Sequence, residues 1–346
     1  MPKAKKLPSG NWRVRVFTHT DSEGKSHYKS FTAPSKKEAE YLASQFYVDK
    51  TQVQNCSDMT LRQAFERMLE VNENILSPST IRGYSTHLRC HVQSIMGIKL
   101  SKLTNDIIQE ALSKESERLA PKTIRNISGC LSVVLRRYAP SFKYDVKLPQ
   151  KKKAKIYIPT EEEVKRLIEY VKDTPSYIPI LLATCYGFRR SEICGLKWSH
   201  VDFDRKTITI ECAKVIDKYN KPVEKDPKSY AGYRTLPLSD FLCEVLKAEK
   251  EKSTTENITT LSGSAIYNRF KRVLKKLGIP HFRFHDLRHY NASLMLAMGI
   301  PNKYAQARIG HATDNMLKNV YQHIMADKQT ETNNIMSDYF DNLLAT

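Results

Sequence analysis

The sequence predicts a mainly α-helical protein with small β-sheets, an α+β chain of three domains joined by one basic linker. Three observations carry this. Helix-start signals followed by stripes of apolar residues at spacings of three and four recur from Thr60 onward. Period-two alternation is confined to the first 35 residues and to two short runs in the third domain. A proline-bounded stretch with five lysines, "KLPQKKKAKIYIP", separates two helical blocks. At 346 residues the chain exceeds what one hydrophobic core usually covers.

In chain order, "NWRVRVFTHT" and "SHYKSFTA" alternate apolar and polar residues around the turn "DSEGK", so they read as a hairpin. Next, "SKKEAEYLASQF" begins with Ser35 and Glu38 as a capping box and continues as an amphipathic helix. Residues 1–52 are therefore expected to form a small sheet plus one helix. Within residues 1–50, ten Lys and Arg stand against five Asp and Glu, which suits either a β-sheet reader of DNA or a plain accessory hairpin.

Residues 57–145 are expected to be helical. "TLRQAFERMLEVN" has Thr60 and Gln63 as a capping box and Ala64, Phe65, Met68 and Leu69 on one stripe. "SPSTIRGYSTHLRCHV" places Ser77 before Pro78, and proline suits the first turn because its missing N–H has no helical partner there. "APKTIRNISGCLSVVLRRYA" repeats the device, with Ile124, Ile127, Leu131 and Val134 inward. Residues 146–158 form the linker, and 159–346 a mixed α/β domain. That domain opens with a capping box at Thr160 and Glu163, has strands at "KTITIEC" and "YRTLPLS", and has helices near 239–251, 262–277, 285–298 and 301–310. "IMSDYFDNLLAT" is a last amphipathic segment.

Fifty-six Lys and Arg against 37 Asp and Glu give a formal charge of +19 and a pI near 9.5, which favours a polyanionic partner, nucleic acid before an acidic membrane. Mean hydropathy is −0.51, and no apolar run approaches the roughly 18–20 residues of a membrane span. The N-terminus has lysines without an apolar stretch behind them, so a secretory signal is not expected. Seven cysteines without a C-x-x-C pair argue against a disulfide framework or a cysteine-based zinc site.

"FRFHDLRHYN" concentrates His285, Arg288 and His289 within five residues, on a common face if helical. An anion opposite them, a metal ion between the histidines, or a buried carboxylate would each explain the cluster. Zinc fits poorly. Asp286 stands where the H-E-x-x-H motif has its glutamate, and Arg288 lies between the would-be ligands. Phosphate suits all three groups, because a guanidinium offers paired donors to non-bridging oxygens.

Further along and before this stretch, "GFRRSEICGLKW" supplies Arg189 and Glu192, "PKSYAGYRTLPL" supplies Lys228, and "RIGHATDNMLKNVYQHI" supplies His311 and Tyr321. Taken in order (G-x-R-x-x-E, a hairpin lysine, H-x-L-R-H, G-H, V-Y-x-H), these elements resemble the tyrosine recombinases, and within them the phage and conjugative-transposon integrases. The resemblance covers the whole chain. It makes residues 1–52 an arm-type DNA-binding domain, 57–145 a helical, SAM-like core-binding domain and 159–346 the catalytic domain. After "HDLRH" the family often has a small hydroxyl residue, whereas this chain has Tyr290 and then Asn291.

The resemblance implies the following chemistry. A tyrosine hydroxyl, with a pKa of about 10, is a poor nucleophile unless cations stabilise its phenolate and the transition state. Tyr321 would attack DNA and form a 3′-phosphotyrosine link, which conserves the phosphodiester energy for rejoining without ATP, metal or other cofactor. Arg189 and Arg288 would hold the scissile phosphate, His311 would donate to it, His285 would handle protons, and Lys228 would protonate the leaving 5′ hydroxyl. Lys225 competes with Lys228 for that last role. Glu192 is expected to orient or cap, and Arg190 to serve the surface. Further DNA contacts are expected from Trp12, Arg13 and Arg15 in the N-terminal sheet and from Lys151, Lys152 and Lys153 in the linker.

Implied partners are double-stranded DNA with core and arm attachment sites, a homo-tetramer on paired sites, an excisionase and a host DNA-bending protein, in the nucleoid-bearing cytoplasm of a bacterial host. Integration or excision of a phage or other mobile element would follow. The alternatives are a type IB-like topoisomerase, which the arm-like domain disfavours, and a non-catalytic DNA-binding regulator, which would not need Tyr321 with both arginines.

Overall fold

The computed structural model describes residues 3–20, 24–151, 157–227 and 232–310. The chain divides into two compact units, Met1–Leu76 with Thr80–Lys152 and Ser77–Ser79 with Lys153–Thr346.

The first unit holds two hydrophobic cores. Strands β1 (Lys5–Lys6), β2 (Trp12–Thr20) and β3 (Ser26–Ala33) form an antiparallel sheet in the order β1-β2-β3, and helix α1 (Lys36–Ser57) follows. Strand parity divides the residues between two faces. Val14, Val16 and Ala33 pack on Ala39 and Ala43 of α1, with Trp12, Phe31 and Phe46 partly buried around them. The opposite face carries Arg13, Arg15 and Phe17, paired in register with Thr32, Ser30 and Tyr28. The α1 start is as expected, since Ser35 Oγ accepts from the Glu38 N–H. The helix then runs to Ser57, eleven residues beyond the last residue of the amphipathic stretch that predicted it.

The second core joins α2 (Leu61–Val71), α3 (Pro78–Cys90), α4 (Gln93–Met96), α5 (Asn105–Ser116) and α6 (Pro121–Tyr138). The capping box of Thr60 and Gln63 forms, and the predicted stripes of α2 and α6 are buried.

The other unit begins with α7 (Glu161–Val171), capped by Thr160 and Glu163 as expected. The apolar helix α8 (Tyr177–Tyr186) and the short α9 (Arg190–Gly195) follow. Strands β4 (Val201–Asp202), β5 (Thr207–Ile210) and β8 (Arg234–Pro237) make an antiparallel sheet with β5 central. Between β5 and β8 the chain makes a separate hairpin, β6 (Ala213–Ile216) with β7 (Pro222–Lys225). Helices α10 (Asp240–Lys252), α11 (Gly263–Leu277), α12 (Asp286–Ala297) and α13 (Asn302–Ile309) complete the described part. One core unites α7, α8, α9, the sheet, α10 and α11. No helix among the described residues is long and apolar enough to cross a membrane.

Candidate active site

The site is built where the turn after α8 meets the start of α12. Helix α8 is buried along nearly its whole length and stops at Gly187, which adopts φ +62°, a left-handed conformation that glycine takes without the steric cost of a Cβ. Glycine is required for space as well. A Cβ there would lie 3.0 Å from Ile309 Cγ2 and 3.2 Å from Asn291 Oδ1. Phe188 turns into the core, and Arg189 becomes the residue that caps α9, its N–H donating to Glu192 Oε2 at 2.9 Å.

Ahead of α12, Phe282 and Phe284 are both buried edge-on against Phe270, at 5.3 and 5.4 Å between ring centroids. Arg283 and His285 alternate with them and lie outside that core; His285 is open to solvent on one side, while its ring faces Arg288 and His289 at the turn into α12. Asp286 then accepts from the Arg283 backbone N–H at 2.7 Å and from its guanidinium at 2.8 Å. Helix α12 packs on α8, where Asn291 Nδ2 donates to the carbonyls of Thr184 and Cys185. That contact gives Asn291, noted above as a departure from the family pattern, a structural use.

Arg288 comes out of this packing completely buried, at 0% exposure, with Nη1 donating to the Gly187 carbonyl. Burial first, and the Arg189 charge second, push its guanidinium down to about 8, while Glu192 acts in the opposite direction. Arg189 keeps 26% of its side chain open, with Nη1 on Glu192 and Nη2 donating to the Gly310 carbonyl at 2.6 Å. Glu192 is buried to 2% exposure and is shared with a third guanidinium, Arg234, at 3.0 Å. Desolvation favours the neutral acid, but Arg234 and then Arg189 outweigh it and hold the Glu192 carboxyl below its usual range.

His285 belongs to the same electrostatic cluster. Desolvation of its ring, then Arg288 and His289, lower its imidazole to about 4, so it is neutral at physiological pH and has a nitrogen free to accept a proton. His289 meets it edge-to-face at 5.3 Å, and its Nε2 lies 3.8 Å from Asp286. The two histidine rings thus stand at 87° to each other, and no group of three or more metal-ligating side chains occurs among the described residues.

Of the six residues expected to carry the chemistry, the structure therefore brings Arg189, His285 and Arg288 together. Lys228, His311 and Tyr321 lie outside the described residues, although Arg189 grips the carbonyl of Gly310, the neighbour of His311 in sequence. Glu192 orients and caps as expected, and Arg190 is exposed.

Among the expected DNA contacts, Arg13 and Arg15 lie on the open face of the N-terminal sheet, with the Arg15 guanidinium 4.7 Å above the Tyr28 ring. Trp12 has the parity of Val14 and Val16 and packs on the core side. Lys151 is exposed, while Lys152 and Lys153 lie outside the described residues.

Arg234 was not among the residues expected at the site. Its signal was present in the strand "YRTLPLS", where Arg234 shares parity with the buried Leu236 and Leu238 and pairs opposite the fully buried Ile210.

Two guanidiniums, those of Arg189 and Arg234, thus pair with one buried carboxylate, and the buried Arg288 and the His285 imidazole lie beside them. A recess this short of negative charge, and this poorly hydrated, is suited to stabilising an anion that gains charge as it reacts.

The chain is similar to known proteins in sequence and in fold. The model of the phage integrase family matches residues 159–328. The XerC-like tyrosine recombinase of Caldanaerobacter subterraneus subsp. tengcongensis is 27% identical over 379 residues, covering 95% of this chain and 96% of that protein. The integrase of Salmonella phage P22 is 30% identical over 206 residues, covering 54% of this chain and 48% of that one.

Among solved structures, the Tn1549 transposon integrase in complex with transposon right end DNA superposes with a TM-score of 0.65 at 16% identity, over 76% of this chain and 95% of that one. The lambda integrase tetramer bound to a Holliday junction gives 0.58 at 18% identity, over 92% and 94%. Fold, motif order and the arginine cluster lead to one assignment: residues 159–328 are a phage integrase family domain, in a chain similar over nearly its whole length to a tyrosine recombinase.

Proposed function

We propose that this protein is a site-specific recombinase that cuts and rejoins double-stranded DNA through a 3′-phosphotyrosyl intermediate on Tyr321, integrating or excising a mobile element. The observation that carries the reading is the buried cluster of Arg189, Arg288 and Glu192 with neutral His285 beside it. Arg189 and Arg288 would neutralise the non-bridging oxygens of the scissile phosphate, and His285 would take the phenolic proton as Tyr321 attacks. His311 would add a donor to the phosphate, and Lys228 would protonate the departing 5′ oxygen. No metal or nucleotide enters this scheme. The open face of the N-terminal sheet, with Arg13 and Arg15, would bind a separate arm site, while residues 57–145 and the lysine linker would hold the core site.

The lambda integrase relative was solved as a tetramer bound to a Holliday junction. That supports assembly of this chain as a tetramer on paired sites. An excisionase, a host DNA-bending protein and the cytoplasm of a bacterial host belong to the proposal on the sequence resemblance alone.

The experiment is a trap. Duplexes nicked near the attachment site are incubated with protein in EDTA and resolved on denaturing gels. Wild type forms a covalent adduct, Tyr321→Phe forms none, and Arg288→Ala forms at least about a hundredfold less. An adduct that survives Tyr321→Phe would reassign the nucleophile, and one that EDTA abolishes would overturn the metal-free scheme.

A further inference from the structure

The Arg234 side chain is only 6% exposed, yet it lies within the arginine cluster. Its donors are spent on the protein. Nε donates to the Arg308 carbonyl at 2.9 Å, Nη1 to the Gly232 carbonyl at 3.1 Å, and Nη2 to Glu192 Oε2 at 3.0 Å. The face of its guanidinium lies 5.2 Å above the Phe188 ring. With each of its three nitrogens already donating to a protein acceptor, Arg234 is committed to the fold rather than to a phosphate. It does touch the two things on which Arg189 depends. One is Glu192, which receives both the backbone N–H and a guanidinium nitrogen of Arg189. The other is the C-terminal end of α13, where Arg234 holds the carbonyl of residue 308 and Arg189 holds that of residue 310. Two arginines from distant parts of the sequence thus clamp one stretch of backbone, immediately before His311.

We propose that Arg234 is a positioning residue for strand cleavage: through Glu192 it orients Arg189, and through the Arg308 carbonyl it fixes the end of α13. The inference rests on the recombinase reading and adds to it a residue that does not touch DNA. Arginine is needed here because three acceptors lie in three directions around one planar group, which an ammonium on a flexible stem cannot satisfy together. Removing Arg234 leaves a buried carboxylate with Arg189 as its remaining listener on that side and deprives the α13 terminus of one of its two tethers.

The test compares wild type, R234Q, R234K and the R234Q/E192Q double variant. It reads DNA affinity, rate of adduct formation between pH 5 and 8, and hydrogen exchange over residues 302–310. In R234Q, DNA affinity stays within about twofold while adduct formation slows about 10–100-fold, the loss expected when a catalytic group is displaced by a fraction of an ångström to an ångström. The R234Q rate also falls further towards acid, because Glu192 now takes up a proton more readily, and that acid limb disappears in the double variant. R234K restores the charge beside Glu192 and hence a wild-type pH profile, but its rate stays low and exchange over 302–310 stays fast.

Should R234Q not fold, the R234K rate and exchange decide the matter alone. Wild-type cleavage and exchange in R234K, or an R234Q loss that is equal at every pH and tracks its melting temperature, would overturn the positioning role. Absence of any adduct from wild type would instead remove the recombinase reading. The exchange comparison would then still show whether Arg234 tethers α13.

Discussion

Gly187 shows how much of the site hangs on one residue. It ends α8, frees its carbonyl for Arg288, and lies where a Cβ would press on Ile309 and Asn291. Gly187→Ala combines a left-handed conformation with a 3.0 Å contact, so a loss of about 1–3 kcal/mol is expected in denaturant unfolding. Adduct formation should fall more than stability does, since Arg288 loses its fixed acceptor. His285 makes a second prediction. Its folded pKa of about 4 lies below the ordinary value of 6.5, so the unfolded chain binds a proton that the native one refuses. Stability should therefore decline as pH falls from about 6.5 towards 4, and His285→Asn should flatten that part of the curve. Thermal midpoints of the two proteins across that range decide it, and parallel curves would mean that the ring is not held neutral.

Among the elements, those with a start signal and a stripe were legible. The capping boxes at Thr60 and Thr160, the prolines at 78 and 121, and the buried stripes of α2 and α6 all appear where the sequence puts them. A stop signal was missing after residue 46, which is why the length of α1 was not readable. The role of Arg234 was hidden for another reason. A basic residue in a strand is ordinarily taken for a surface one, and only the parity with Leu236 and the partner Glu192, 42 residues away, reveal it.

Strand parity likewise separates the N-terminal residues into two kinds. Trp12→Ala should remove about 2–3 kcal/mol from the small core that it half covers, with little direct effect on salt-dependent binding. Arg13→Ala with Arg15→Ala should leave the fold intact and lower the slope of log affinity against log salt by about two for an arm-site duplex. Equal slopes in the double alanine variant and wild type would place DNA elsewhere than on the open face.

At the scale of the whole molecule, the charge of +19 and the buried cation cluster answer to different physics, and salt can separate them. Exposed lysines and arginines bind phosphates by releasing condensed counterions, so affinity for duplex DNA should fall about 10³–10⁵-fold between 50 and 200 mM salt if six to ten phosphates are contacted. The guanidinium of Arg288, at 0% exposure, is shielded from mobile ions in a way that surface charges are not. Cleavage within a complex already formed should therefore change little over the same range. A single-turnover assay with enzyme well above the dissociation constant at each salt concentration makes the distinction. A steep fall in apparent affinity with a nearly constant cleavage rate is the expected pair of results. A cleavage rate that falls with salt as steeply as affinity does would mean that the cations acting on the phosphate are solvent-exposed ones, and that the buried arginines hold the fold rather than the transition state.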